Sequence, residues 1–385
     1  MNNSSLYIHF PICKAKCPYC DFNSHVMNFS NISQWQKAYE NELKFYANLI
    51  GPRKITSIFF GGGTPSLMPI ALVESILNNI SKYFEVKENI EISLEANPTS
   101  SEAQKFKALK EAGINRLSLG IQALNNNDLK FLGREHCKEE AIKAILLAKD
   151  NFTNFSFDLI YARPGQTMDA WAKELDFALA LSPKHLSLYQ LTIEKGTKFY
   201  KQHSLGEFTL PAEAEQIKLY DLTEEKCAKY SLKKYEISNY AKDKFESQHN
   251  LNYWQYGDYI GIGAGAHSRI TIDRIKHSFL TYHQPEKWLK HSLELNNSIQ
   301  KQTKLSKEAM LEELLIFGLR IKNGINLKLF DDYLGKSFNA IYSDKLNTLC
   351  QENLIKITKQ KLIATSKGQN LAHNITNFMV KNASL

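Results

Sequence analysis

Cys13, Cys17 and Cys20 fall close together near the start of the chain. Their x3/x2 spacing lets one short loop wrap three thiolates around a corner of an iron–sulfur cubane, and soft thiolates suit iron–sulfur and zinc centres alike. Three protein ligands leave one iron of a [4Fe–4S] cluster open to a small molecule. Structural zinc normally closes four ligands with paired spacings, and no second cysteine pair is present. His9 or His25 would have to complete a zinc site. That alternative and a trio of unrelated buried cysteines stay open on spacing alone. Cys137, Cys227 and Cys350 match no ligand spacing and read as structural, so the cysteines do not form a disulfide framework.

A second constellation is Gly61-Gly62-Gly63-Thr64-Pro65. Adjacent glycines let backbone approach a ligand closely and present unencumbered N–H and C=O groups. Alone, such a turn is weak evidence.

These residues must be held by something, and the sequence alternates strand-like and helix-like segments through its first two-thirds. Strand-like runs cover 6–10, 55–60, 90–96, 116–122, 155–161 and 185–192. Helical spacing covers 33–50, 69–84, 100–113, 138–150, 167–181 and 211–230. The strands are short and apolar without clean alternation, as expected of a parallel sheet buried on both faces. The cysteine loop follows the first strand and the glycines end the second. Periodicity alone does not separate a doubly wound sheet from a full or partial barrel. After about residue 235 the pattern changes to HNLNYW (249–254), read as a loop, and the Gly-rich YIGIGAGAHS (259–268), read as a tight turn or a closure of a ligand pocket. From 305 onward helices are followed by two short strands, a winged-helix-like order.

The chain has 385 residues and a 43% hydrophobic fraction, enough for a sizeable core. No apolar run reaches the roughly 18 residues of a transmembrane helix, and the N-terminus lacks a signal-peptide pattern, so a cytoplasmic location is expected. Net charge is +8, from 48 basic and 40 acidic residues. The excess is dispersed and reads as a solvated surface, compatible with an anionic small molecule or peripheral contact with a membrane. A nucleic-acid partner is not expected, because the C-terminal segment 343–356 is not notably basic. A homodimer stays open.

The segment IHFPICKAKCPYCDFNSH resembles the signature of radical S-adenosylmethionine (radical SAM) proteins, and within them the oxygen-independent coproporphyrinogen dehydrogenase (HemN) family. The resemblance covers about residues 5–378. It implies an α/β fold: a partial (β/α)6 TIM-like barrel as radical SAM core with a smaller helical, winged-helix-like C-terminal domain. It implies domains at 1–240 (core), 241–304 (connecting region with HNxxYW) and 305–385 (HemN-type C-terminal domain). It also implies a [4Fe–4S] cluster on Cys13, Cys17 and Cys20, with S-adenosylmethionine on the open iron. The matching cofactor positions are Tyr19 between the cysteines, Gly62, Gly63 and Thr64 of GGGTP, Glu95, Gln122, Arg134 and Asp158, with Tyr7 and Thr192 as further matches. Taken singly, each of these polar residues reads equally as a cap or surface group. Their regular placement at strand ends is what parallel-barrel sites use.

Two departures bear on the branch. The dehydrogenase has a further cysteine two residues after the third ligand, where Phe22 stands here, and an arm before the cluster, whereas here the first ligand is already Cys13. CPYCDFNSH instead resembles the HemW group of heme chaperones. His249-Asn250-Leu251-Asn252-Tyr253-Trp254 matches that group's HNxxYW motif, which implies heme contacts from His249, Asn250, Tyr253 and Trp254. A neutral imidazole suits heme iron and aromatic rings suit a porphyrin face, although a lone histidine is more often simply hydrogen-bonded. His267 in the Gly-rich segment is a competing ligand. The function implied is a heme chaperone that carries the cluster and S-adenosylmethionine and passes heme to membrane respiratory enzymes. The alternative is radical oxidative decarboxylation of coproporphyrinogen III propionates in porphyrin biosynthesis. One further departure is ARPGQ at 162–166, where many relatives have glycine at Ala162.

Overall fold

The computed structural model describes residues 2–381. The six apolar runs form strands β1 (Asn2–Phe10), β2 (Arg53–Gly62), β3 (Glu85–Ala96), β4 (Arg116–Gln122), β5 (Asn154–Tyr161) and β6 (His185–Gln190). Each pairs in parallel with the next. Helices Ile32–Ile50, Ile70–Tyr83, Lys138–Asn151, Met168–Ala180 and Glu213–Lys229 pack outside, close to their expected bounds. The helix expected over 100–113 is instead two pieces, Ser100–Ala103 and Phe106–Glu111. The buried Glu102 carboxylate explains the break. It accepts from the Asn97 N–H (3.0 Å), the Thr99 hydroxyl (3.1 Å) and the Ser66 hydroxyl, which draws the first turn toward the sheet.

The sheet does not stop at six strands. Beyond β6 it adds the short antiparallel strands Asn239–Ala241 and Lys233–Lys234. On the free edge of β1, β7 (Asp258–Ile262) pairs in parallel, Leu6 opposite Ile260 and Ile8 opposite Ile262. Antiparallel strands β8 (His267–Ile272), β9 (Ile275–Thr281) and β10 (Ile299–Lys304) complete a 12-stranded sheet. The Gly-rich segment is therefore the strand β7 followed by the expected turn, which leads into β8. Leu6, Ile8, Phe60, Leu94, Leu119 and Phe157 are fully buried between sheet and helices, and Ile260, Ile262, Phe279 and Trp288 join the same core.

Residues beyond 305 build a second core. Helices Lys307–Gly318, Leu327–Leu334 and Phe338–Gln351 bury Leu311, Leu315, Phe330, Phe338 and Leu346. A three-stranded sheet of Ile325–Asn326, Lys361–Ala364 and Ile355–Ile357 completes the winged-helix arrangement.

Polar residues close the N-terminal end of the barrel. Asp258 accepts from Arg53 Nη1 (2.6 Å), the Thr271 N–H (2.8 Å) and the Thr271 hydroxyl (2.7 Å), and lies 3.4 Å from Lys276 Nζ. Burial pushes the Lys276 ammonium down to about 8 against the pull of Asp258. Among the described residues no helix is long and apolar enough to cross a membrane.

Candidate functional site

At the opposite end, the C-terminal ends of β1–β5 deliver the predicted residues to one cavity. Cys13, Cys17, Cys20, Tyr19, Gly62, Gly63, Thr64, Glu95, Gln122, Arg134 and Asp158 all line it, together with Asn97 and Gly120. The cysteine loop is fixed from both sides. Its Cys20 N–H donates to Cys17 O (3.1 Å), while the N–H groups of Gly63 and Thr64 donate to Phe10 O (2.7 Å) and Ile12 O (2.9 Å). The Thr64 hydroxyl donates to Cys13 Sγ and Arg134 Nη1 donates to Cys17 Sγ, each at 3.3 Å. Burial raises the thiol pKa of Cys13 and Cys20. Metal coordination would reverse that direction, since a coordinating thiol is deprotonated outright.

The close approach at the glycines is real. Gly62 has φ +114°, and a Cβ there would sit 2.7 Å from the His9 ring, while one on Gly63 would sit 2.7 Å from Ile12 O. The Gly62 N–H donates to Glu95 Oε2 (3.3 Å). Burial, with Asp158 as a second negative group, pushes Glu95 up to about 8, and burial pushes Asp158 to about 6. Gln122 ends β4 at φ +71°, a costly backbone state for a non-glycine residue, of the kind that clusters at functional sites. Arg134 is held by Gly120 O (2.9 Å) and by the Asn97 side chain, yet its buried Nε has no partner. Asn97 was not singled out from the sequence. It joins Arg134 to Thr64, donating to the threonine hydroxyl at 3.2 Å, and only its place two residues after Glu95 hinted at this.

These features fit an iron–sulfur cluster with a bound nucleoside-type cofactor: three thiols on one loop, an orphaned guanidinium nitrogen and a glycine cradle with no room for side chains. Among the described residues no three such donors converge on a point suited to one ion. A cluster does not require that, because each thiolate takes its own iron. Thr192 lines an adjoining cavity of about 520 Å³ with Tyr19, Glu95, Gln122 and Asp158.

A third and larger cavity, about 760 Å³, opens beside the cysteine loop. Tyr7, Phe22, Tyr253, Trp254, Tyr259 and Phe317 supply its aromatic surface, and His9, His267 and His283 its imidazoles. Gly62, Glu95 and Phe22 border both this cavity and the cluster cavity. Phe22 is 60% exposed.

The HNLNYW segment differs from its expected loop: it is the helix Gln248–Trp254, capped by Ser247. Tyr253 and Trp254 reach the large cavity, and the Arg320 guanidinium lies 4.6 Å from the Trp254 ring centroid. Asn250 sits in the first turn, its N–H donating to Ser247 Oγ (3.3 Å). His249 points inward at 1% exposure. It stacks 5.0 Å from Phe59, with Nδ1 3.1 Å from Ser57 Oγ and Nε2 2.8 Å from the Tyr253 hydroxyl. Burial pushes its pKa to about 3, so the ring is neutral with both nitrogens occupied.

Arg163 is also explained. It is buried at the end of β5 against Glu174 and Asp128 (3.0 Å), a structural clamp.

Residues 7–178 match the radical SAM superfamily and residues 305–371 the HemN C-terminal domain. The chain is 37% identical over 363 residues to the heme chaperone HemW of Haemophilus influenzae, covering 91% of each protein. It is 31% identical over 373 residues to HemW of Bacillus subtilis, covering 96% of this chain and 97% of that one. It is also 33% identical over 329 residues to the mitochondrial radical S-adenosyl methionine domain-containing protein 1 of Danio rerio, covering 84% and 74%. Among solved structures, coproporphyrinogen III oxidase (HemN) from Escherichia coli superposes with a TM-score of 0.81 at 22% identity, over 99% of this chain and 91% of that one; this shows the shared fold. With its cysteine loop, its glycine cradle and full-length relatives of this kind, the chain belongs to the HemW family of the radical SAM superfamily.

Proposed function

We propose that this protein is a heme carrier that holds a [4Fe–4S] cluster and S-adenosylmethionine beside its cargo and passes heme to membrane respiratory enzymes. The observation that carries the reading is the aromatic cavity of about 760 Å³, within the size range of small-molecule and cofactor sites, bordering the cysteine cavity through Phe22, Gly62 and Glu95. The names of the HemW relatives support heme as the cargo.

In this reading Cys13, Cys17 and Cys20 hold the cluster. Gly62 and Gly63 offer main-chain groups to the amino end of S-adenosylmethionine, and Thr64 steadies Cys13. Arg134 pairs with the cofactor's carboxylate through its free donor capacity. Glu95 and Asp158 meet its ribose hydroxyls, Gln122 and Thr192 its base, and Tyr19 walls the site, with Tyr7 on the large-cavity side of Gly62 and Glu95. The cluster, when bound, supplies one-electron chemistry. Tyr253 and Trp254 offer apolar walls to the porphyrin, and Asn250 and His249 fix the helix that carries them. Phe317 adds a wall from the C-terminal residues, and Arg320 lies against the Trp254 ring.

Anaerobically reconstituted protein, titrated with heme and followed at the Soret band, is expected to saturate at a fixed stoichiometry. Cys13→Ser, Cys17→Ser or Cys20→Ser should abolish cluster iron while the protein stays folded. Absence of saturable heme binding would remove the carrier reading.

A further inference from the structure

The carrier reading asks which nitrogen meets the iron. His249 is poorly placed for this. Exposing its Nε2 means breaking the Tyr253 bond, and turning the ring out means losing Ser57 and the stacking on Phe59 as well. Each such hydrogen bond is worth about 1 kcal/mol net, and a buried partner left unsatisfied costs about 1–3 kcal/mol more.

The same cavity offers two imidazoles with no such obligations. His267 is the first residue of β8 and His283 follows the end of β9. Both are exposed, both line the cavity with Tyr253 and Trp254, and neither ring is hydrogen-bonded to any described residue. Their backbones, by contrast, are firmly held. His267 pairs with Leu280 across the β8–β9 ladder. Asn23, three residues after the last cysteine of the loop, donates to His283 O (3.0 Å) and to Ala264 O (2.9 Å), tying the two histidine-bearing segments together.

The Gly-rich motif explains how this is packed. A Cβ on Gly261 would meet His267 O at 2.0 Å, one on Gly263 would meet His9 O at 2.1 Å, and one on Gly265 the Asn23 amide at 2.1 Å. The glycines of GIGAGAHS let the His267 backbone lie against β7 and let Asn23 close over the turn.

We propose that His267 and His283, at the cavity mouth, ligate the iron of the heme cargo, while the HNLNYW helix supplies the wall against which the porphyrin packs. This rests on the carrier reading. An exposed ligand pair also suits a protein that must give its cargo up, since an acceptor's ligand can displace an imidazole at the mouth without unfolding a core.

The test is a parallel titration of full-length protein with ferric protoporphyrin IX and with iron-free protoporphyrin. Wild type, His267→Ala, His283→Ala, the double variant and His249→Gln are compared by Soret position and by electron paramagnetic resonance. The expected result is that each mouth variant shifts the ferric Soret maximum. The double variant should lose the low-spin signal and at least tenfold in heme affinity, while iron-free porphyrin binds it as it binds wild type. Free imidazole should restore the low-spin spectrum of the double variant. If wild type binds heme and the double variant keeps its spectrum and affinity, the ligand assignment falls and the carrier reading stands. Loss of the low-spin signal in His249→Gln alone would likewise overturn the assignment. If wild type takes up no heme, both fall.

Discussion

The two ends of the barrel treat charge in opposite ways. At the N-terminal end of the strands, Asp258 is saturated by Arg53, Thr271 and Lys276. At the C-terminal end, Glu95 has the Gly62 N–H, a like-charged neighbour in Asp158, and a pKa pushed to about 8. Nearby, Arg134 keeps an unpartnered buried nitrogen. One end spends its polar groups on holding β1, β2, β7 and β8 together. The other leaves Glu95 beside a like charge and one Arg134 nitrogen without a partner. Conservative acid-to-amide substitutions should therefore differ in sign between the two ends.

The largest effect is expected at the closed end. Asp258→Asn leaves two buried cations without their counter-charge, and breaking such a network costs about 3–5 kcal/mol. Denaturant unfolding should show a free energy lower by that amount and a correspondingly lower midpoint, with heme and cluster binding by the folded fraction unchanged. An unshifted midpoint would remove the contrast between the two ends.

Glu95→Gln should do the reverse in ligand-free protein. The unfolded chain releases this proton near the ordinary value of 4.5, whereas the folded protein holds it to about 8. Stability is thus lost as pH rises through that window. The amide, which carries no charge, should be more stable than wild type by on the order of 1–3 kcal/mol at pH 8, with the difference shrinking toward pH 5. Thermal unfolding across pH checks this, and a gain that does not depend on pH would argue against the cause given. The same substitution should weaken S-adenosylmethionine binding, measurable by calorimetry.

The smallest effect lies beside the open end. Ala162 has φ +56°, which costs an L-residue about 1–2 kcal/mol, partly offset by the extra chain entropy of glycine. Ala162→Gly should raise stability by about 0.5 kcal/mol without changing ligand affinity. Glycine would adopt this backbone state without the strain that Ala162 bears.

Much of this was legible in the residues themselves. Strands such as RLSLGIQ were readable because runs buried on both faces are short and apolar, and the cysteine loop because ligand spacing is local. What was missed depends on distant partners. β10, IQKQTK, is an exposed edge strand with no apolar pattern to reveal it. HNLNYW lies in a seven-residue helix, too short for periodicity, and its histidine is claimed by Ser57 and Phe59 from a strand almost two hundred residues earlier. His267 and His283 line one cavity only because β8 and β9 form a hairpin beside the cysteine loop. Asn97 became visible only once Arg134 and Thr64 were folded against it.

Phe22, Gly62 and Glu95 border the large aromatic cavity and the cysteine cavity at once. A shared wall makes two occupancies one thermodynamic problem. A ligand that draws Glu95 or the Phe22 ring toward itself reshapes the neighbouring chamber. By linkage, the factor by which one ligand alters the other's affinity acts equally in return. A coupling of about 1–3 kcal/mol, typical of such pairs, spans roughly 5- to 150-fold in affinity. Cargo retention would then be set by what occupies the next chamber, with no subunit rotation or moving domain required.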